Sequence, residues 1–211
     1  MSKLSEDVKL TTLNEHYNST VADFKELGKS RERNFLAILV LLGVMAFQFI
    51  SPNQSKDILT QFVQNQLNID VSLSINIIGS LVWFSLLYVS IKYFQTVINI
   101  EKQYNYTHKL EAELSKNYDE EVFTREGKAY LNNYPIFSEW VHILYWYIFP
   151  ALFFITITAK IIGEYLVSTD KLPFIFNAII YLCLVISTGL YVYSLVKSKK
   201  NTEDDLNHHI S

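Results

Sequence analysis

A single cysteine, Cys183, excludes an internal disulfide and any metal centre built on several thiolates. Lying inside an apolar block, it reads as a small lipid-facing or packed thiol. Charged side chains are scarce at 18%, against about a quarter in soluble globular domains. Only six glycines and four prolines punctuate the chain, and no glycines have the spacing of a phosphate-cradling loop. A Ser-centred nucleophile elbow and a His-Glu-x-x-His pair are both missing. No basic stripe interleaved with aromatics points to nucleic acid. The first 33 residues are polar and mixed in charge rather than a cleavable leader. An enzyme, a cofactor or a direct nucleic-acid partner is therefore not expected.

What the chain has in quantity is apolar surface, 50% of residues, with aromatics at 15%. It is gathered into four blocks. The first, Phe35 to Ile50, carries no charge, and Asn34 and Ser51 extend it toward the length of a ~30 Å hydrocarbon core. The second, Val71 to Ile98, is uncharged until Lys92. The third, Trp140 to Gly163, holds Pro150 and, near its end, Lys160. The fourth, Pro173 to Val196, is uncharged throughout. Four such runs in one short chain predict an all-α integral membrane protein with four transmembrane helices and helical extensions on one side of the bilayer.

Positive charge gives an independent test. Residues 1–33 hold six Lys or Arg, residues 99–135 hold five and residues 197–211 hold three. The two alternate segments, 52–70 and 164–172, hold only Lys56 and Lys171. That alternation satisfies the positive-inside rule for an even number of spans. The predicted order is thus a cytoplasmic helix (1–33), a first span (34–51), an external segment (52–70) and a second span (71–98). A cytoplasmic hairpin (99–135), a third span (136–163), an external loop (164–172), a fourth span (173–196) and a cytoplasmic tail (197–211) follow. Both termini face the cytoplasm of a bacterial inner membrane in this reading.

Outside the blocks, Tyr17, Val21, Phe24 and Leu27 form a helical apolar stripe among mixed charges. Mixed rather than basic charge favours packing on another helix over lying on headgroups. In the external segment, Ile58, Phe62, Val63 and Ile69 oppose Gln61, Gln64, Asn65 and Asn68, which suits a short interfacial helix. Nothing stops the second span at its cytoplasmic end. Val97, Ile100, Tyr104, Thr107 and Leu114 carry the pattern on, predicting one helix of roughly 67 Å over 73–117. Asn117-Tyr118-Asp119 offers a turn and an N-cap for the hairpin's second arm.

Few residues carry candidate chemistry. Glu139 and His142 stand three apart, but a di-iron bundle needs that pair twice plus two further Glu, so an interfacial role is expected and no metal site. His16, His108, His208 and His209 read as solvated. Lys92 and Lys160 lie within about two turns of their span ends, where a long side chain can snorkel to headgroups. Without a central carboxylate or an internal repeat, coupled transport is not expected. Asn76, Ser80, Leu87 and Ser90 fall within about an 80° arc of the second span, a candidate oligomer seam or pore lining. Thr156, Thr158, Ser187, Thr188 and Ser194 suit hydrogen bonding across helices. Pro150 is expected to kink the third span. At the hairpin tip, Tyr118, Asp119, Glu120, Glu121 and Phe123 form an acidic, aromatic-flanked cluster, which suits either a helix cap or docking of a soluble protein.

In topology the chain is similar to small four-span membrane subunits of bacterial defence operons, including phage-defence and CRISPR accessory proteins. That resemblance implies a two-component system with a cytosolic partner. The expected function is a homo-oligomeric membrane platform or sensor that docks a soluble cytoplasmic protein. An ion-permeable pore or membrane-depolarising effector is the alternative.

Overall fold

The computed structural model describes residues 6–67, 75–115, 140, 144–167 and 171–208. Among them all regular structure is helical: α1 (Glu6–Ile50), α2 (Pro52–Leu67), α3 (Ile75–Ser115), a π-helical turn (Leu144–Ile148), α4 (Phe149–Val167) and α5 (Lys171–His208). Four of these helices, α1, α3, α4 and α5, are long and apolar enough to cross a membrane. The architecture is all-α and compatible with a multi-pass membrane protein.

The amphipathic N-terminal stretch and the first apolar block form one helix of 45 residues. Gly28 is the only residue between them with a poor helix preference, and its cost of about 1 kcal/mol is too small to interrupt so long a ladder. The second block likewise runs on through Ser115 in a helix of 41 residues. The fourth continues past Val196 to His208, so the expected tail is largely helical.

Breaks occur where proline imposes them. Pro52 has no N–H to give to the carbonyl four residues back, and α1 ends at Ile50. Ser51 still donates to the Phe47 carbonyl at 2.9 Å, and Ser55 N–H donates to the Ser51 carbonyl at 2.9 Å. Pro52 thus occupies the first position of α2, where its missing N–H costs nothing. The helix α2 therefore starts earlier than the Ile58 read from its apolar pattern. Pro150 behaves differently. The π-helical turn Leu144–Ile148 lies directly before it, and its wider ladder makes room for the ring without ending the helix.

Chain contacts define two compact units, Met1–Arg33 with Gln95–Tyr145 and Asn34–Phe94 with Trp146–Ser211. In the first, the stripe on α1 packs on the C-terminal part of α3. His16 Nε2 lies 2.6 Å from the Tyr106 hydroxyl, Tyr17 donates to Glu111 Oε1 at 3.2 Å, and the Gln103 amide reaches the Thr20 carbonyl at 3.5 Å. Val21, Phe24, Tyr104 and Thr107 line a small apolar recess. Leu110, Glu111 and Leu114 are buried, while Glu15, Asp23, Lys25, Glu26 and Lys29 stay exposed.

The second unit has narrow seams rather than a wide core. Ile38, Leu42 and Met45 of α1 are buried, as are Trp83, Leu86 and Ser90 of α3. Phe153, Ile157 and Ile161 of α4 and Ile180 and Leu184 of α5 join them. The three- and four-residue steps are those of helices meeting along one stripe. Outside the seams the same helices expose large apolar side chains, among them Leu36, Val40, Leu81, Ile155, Leu182 and Leu190. Helices that are apolar all round, yet buried along one stripe only, suit lipid and not water. Aromatic packing supplements the seams, with Phe94 stacked on Tyr191 at 4.4 Å and 16° and Phe35 against Phe149 at 4.7 Å. Gly163 lets α1 approach α4 closely, since a Cβ there would lie 2.7 Å from the Phe49 ring.

Candidate functional site

The most concentrated polar chemistry in the second unit centres on Glu164, in the last turn of α4. Its position breaks two local rules. A carboxylate near a helix C-terminus opposes the helix dipole. Its helical partner Lys160 stands four residues before it, the less favourable order for an i,i+4 ion pair. Local preference therefore does not explain why the carboxylate is there, and tertiary contacts must.

Three side chains from three helices converge on it. The Lys160 ammonium lies 3.3 Å from Oε1, with the two side chains only 12% and 18% exposed. The Trp83 indole N–H of α3 donates to the same oxygen at 3.0 Å. The Asn177 amide of α5 donates to Oε2 at 2.8 Å. Trp83 and Asn177 are themselves buried. A side chain that size with one polar atom is placed inside only where that N–H finds an acceptor. Trp83 also meets Tyr181 edge-on, with ring centroids 6.3 Å apart, and the Tyr181 hydroxyl lies 3.2 Å from that of Thr158. The α4–α5 seam thus carries two polar rungs, Thr158–Tyr181 and Glu164–Asn177.

One atom of the cluster is unused. Asn177 Oδ1 is buried and has no hydrogen-bond partner. Elsewhere in the unit both polar atoms of Gln48 and the Ser90 hydroxyl are also buried without partners. Such groups are rare in folded proteins.

The expected site residues fall out unevenly. Lys160 has an ion-pair partner within the unit, Glu164. Lys92 is exposed on α3 with its ammonium 6.0 Å from the Tyr88 ring centroid, at the limit of cation–π range. The candidate arc of the second apolar block, Asn76, Ser80, Leu87 and Ser90, lies on α3. Ser90 is fully buried in the chain's own packing, whereas Ser80 and Leu87 are partly exposed, and Asn76 belongs to the first turn of α3. Tyr118, Asp119, Glu120, Glu121 and Phe123 lie outside the described residues, as do Glu139 and His142. Cys183 is exposed on α5.

Glu164, Trp83 and Asn177 were not among the residues expected to matter. Ending the third block at Gly163 assigned Glu164 to a loop, although its four-residue distance from Lys160 was a legible signal. The roles of Trp83 and Asn177 depend on a partner on another helix, which periodicity does not reveal. The chain matches no protein-family model, and neither a characterised protein nor a solved structure is significantly similar to it.

Proposed function

We propose that this chain is a homo-oligomeric four-span subunit of a bacterial cytoplasmic membrane. In this reading both termini are inside, and the subunit is a platform or sensor that docks a soluble cytoplasmic partner, as in a defence system. The observation that carries the reading is the first compact unit. Its helices are the polar ends of two apolar helices, and they satisfy one another through Tyr17–Glu111, His16–Tyr106 and Gln103–Thr20. Their outer surface is left to charges of both signs, with Asp23, Lys25, Glu26, Lys29, Arg31, Glu32 and Arg33 all exposed. A folded, mixed-charge helical unit suits a protein partner better than anionic headgroups, which select basic helices.

Docking is assigned to the acidic, aromatic-flanked residues Tyr118 to Phe123. Reversing charge at Glu120 and Glu121 is expected to abolish capture of a cytosolic partner from the native host while membrane insertion persists. Capture is also expected to weaken with salt, because exposed charges are screened beyond about 8–10 Å. Equal capture by the reversed variant, or none by the unaltered chain, overturns the docking assignment.

A second reading, an ion-permeable or depolarising effector, draws support from the buried, unpartnered atoms of Gln48, Ser90 and Asn177. Polar atoms inside an apolar bundle are what a conduction path requires. Ion flux through liposomes carrying the purified chain tests it, and absence of flux with the partner present removes it.

A further inference from the structure

Contacts between the helices of the second unit sort its buried side chains into levels. At one level, Phe35 of α1 lies 6.0 Å from Tyr93 of α3 and 4.7 Å from Phe149 of α4, and Tyr191 of α5 stacks on Phe94 at 4.4 Å. At another, Gly163 of α4 lies against Phe49 of α1, and Glu164 beside it accepts from Trp83 and Asn177. Gln48 adjoins Phe49, so it shares the level of Glu164 and Asn177 to within about one helical turn, ~5 Å. Each of the four helices thus brings a polar side chain to this level: Gln48, Trp83, Glu164 and Asn177. Seven or eight residues along from the aromatic level, each helix presents a buried aliphatic side chain instead: Leu42, Leu86, Ile157 and Leu184. At 1.5 Å per residue these four stand together, between the aromatic level and the polar one.

The polar level is under-satisfied. Neither amide atom of Gln48 has a partner, nor has Asn177 Oδ1, and the two side chains are 7% and 4% exposed. Buried amide groups left unbonded are costly, and in the membrane proposed above hydrocarbon offers them nothing. Asn177 Nδ2 donates to Glu164 Oε2 at 2.8 Å, and Oδ1 belongs to the same planar amide. Oδ1 therefore lies within the reach of two O–H···O bonds, about 5.5 Å, of that carboxylate. A water between them donates one hydrogen to each. At Gln48, one water donates to Oε1 and another accepts from Nε2. A bare cation would suit the two oxygens and leave the Gln48 N–H groups unmet, and it would add charge where Lys160 and Glu164 already balance. The ligand called for is neutral and both donor and acceptor.

We propose that the level of Gln48, Glu164 and Asn177 is an internal water site, and that the adjoining level of Leu42, Leu86, Ile157 and Leu184 is dry and ends the hydration. Enclosed polar sites hold ordered water, whereas enclosed apolar ones stay empty. Glu164 is in the last turn of α4 and Asn177 in the second turn of α5, so water has a short way in from the helix ends. Ser90 stands beyond the dry level, where one hydroxyl falls short of the about two to four partners an internal water takes. The site exists whether or not the bundle conducts or a partner docks.

The test is water-edited solid-state NMR of the unaltered full-length chain in lipid vesicles, which follows magnetisation passing from mobile water to each side chain. Resonances are assigned by through-bond correlation in the same sample, so no variant has to fold. The side-chain amides of Gln48 and Asn177 are expected to receive water magnetisation several-fold faster than the methyl groups of Leu42, Leu86 and Leu184. Amides as dry as those methyl groups overturn the water site, as does a direct through-space contact that pairs the Gln48 amide with another side chain. Leucine methyl groups as wet as the amides overturn the dry level.

Discussion

Replacing Glu164 by Ala is the most informative single change for the packing of the second unit. Two hydrogen bonds to other helices are lost, from Trp83 at 3.0 Å and from Asn177 at 2.8 Å. Interhelical bonds in a bilayer are worth about 0.6–1.7 kcal/mol each, so their loss costs about 1–3 kcal/mol. Lys160 then keeps a charge without its partner. A fully trapped charge would add about 3–5 kcal/mol, but a stem that can extend toward headgroups holds the addition to about 1 kcal/mol. The expected total is about 2–4 kcal/mol, read by equilibrium unfolding in mixed detergent–lipid micelles. The paired variant Glu164→Ala with Lys160→Met removes the stranded charge and is expected to recover about 1 kcal/mol, since apolar replacement of both partners is often neutral. A cost for Glu164→Ala below about 0.5 kcal/mol, the scatter of an ordinary surface substitution, would show that the cluster holds nothing together. A paired variant no better than the single one would show that Lys160 is compensated elsewhere.

Gly163→Leu is expected to destabilise by about 1–3 kcal/mol through overpacking, because a Cβ there meets the Phe49 ring at 2.7 Å. Adding Phe49→Ala should return part of that loss in the same unfolding assay, and no return would place the clash elsewhere. Ser90→Ala should be neutral or stabilising by up to about 1 kcal/mol, since its buried hydroxyl has no partner; a clear loss of stability would reveal a bond to the hydroxyl. For the orientation, cysteine placed at position 56 or 171 in a Cys183→Ser background should react with a membrane-impermeant reagent outside intact cells. Labelling at position 116 or 200 instead would invert the topology.

The elements read most easily from the sequence are those set by composition along one helix. Uncharged runs marked the four long apolar helices, and the absence of a breaker after Ile98 announced that α3 would continue. The stripe Tyr17, Val21, Phe24 anticipated a packed face, and Val21 and Phe24 do line the recess against Tyr104 and Thr107. What stayed hidden depends on pairs. Ser90 read as part of a candidate oligomer seam or pore lining because a helical wheel gives direction without saying what lies there; the structure buries it in the chain's own packing. Glu164 looked like a loop charge because an apolar-block boundary treats any carboxylate as an exit from the membrane. Only Trp83 and Asn177, each on a different helix, make its retention within α4 intelligible. Pro52 was a readable helix start, and the amphipathic pattern beginning at Ile58 masked it.

The π-helical turn before Pro150 also alters how the third apolar block can be read or edited. A turn closed by i→i+5 bonds accommodates one residue more than an α-helical turn. Each residue in a helix represents about 100° of rotation and 1.5 Å of rise. Deleting one residue between Leu144 and Ile148 would therefore leave the block almost unchanged in length and hydropathy. It would nevertheless close the wide turn to an α-helical one and take away the room that the Pro150 ring uses, because the extra residue is the one the turn absorbs. A single-codon deletion that no hydropathy profile would register could thus turn a tolerated proline into a helix breaker.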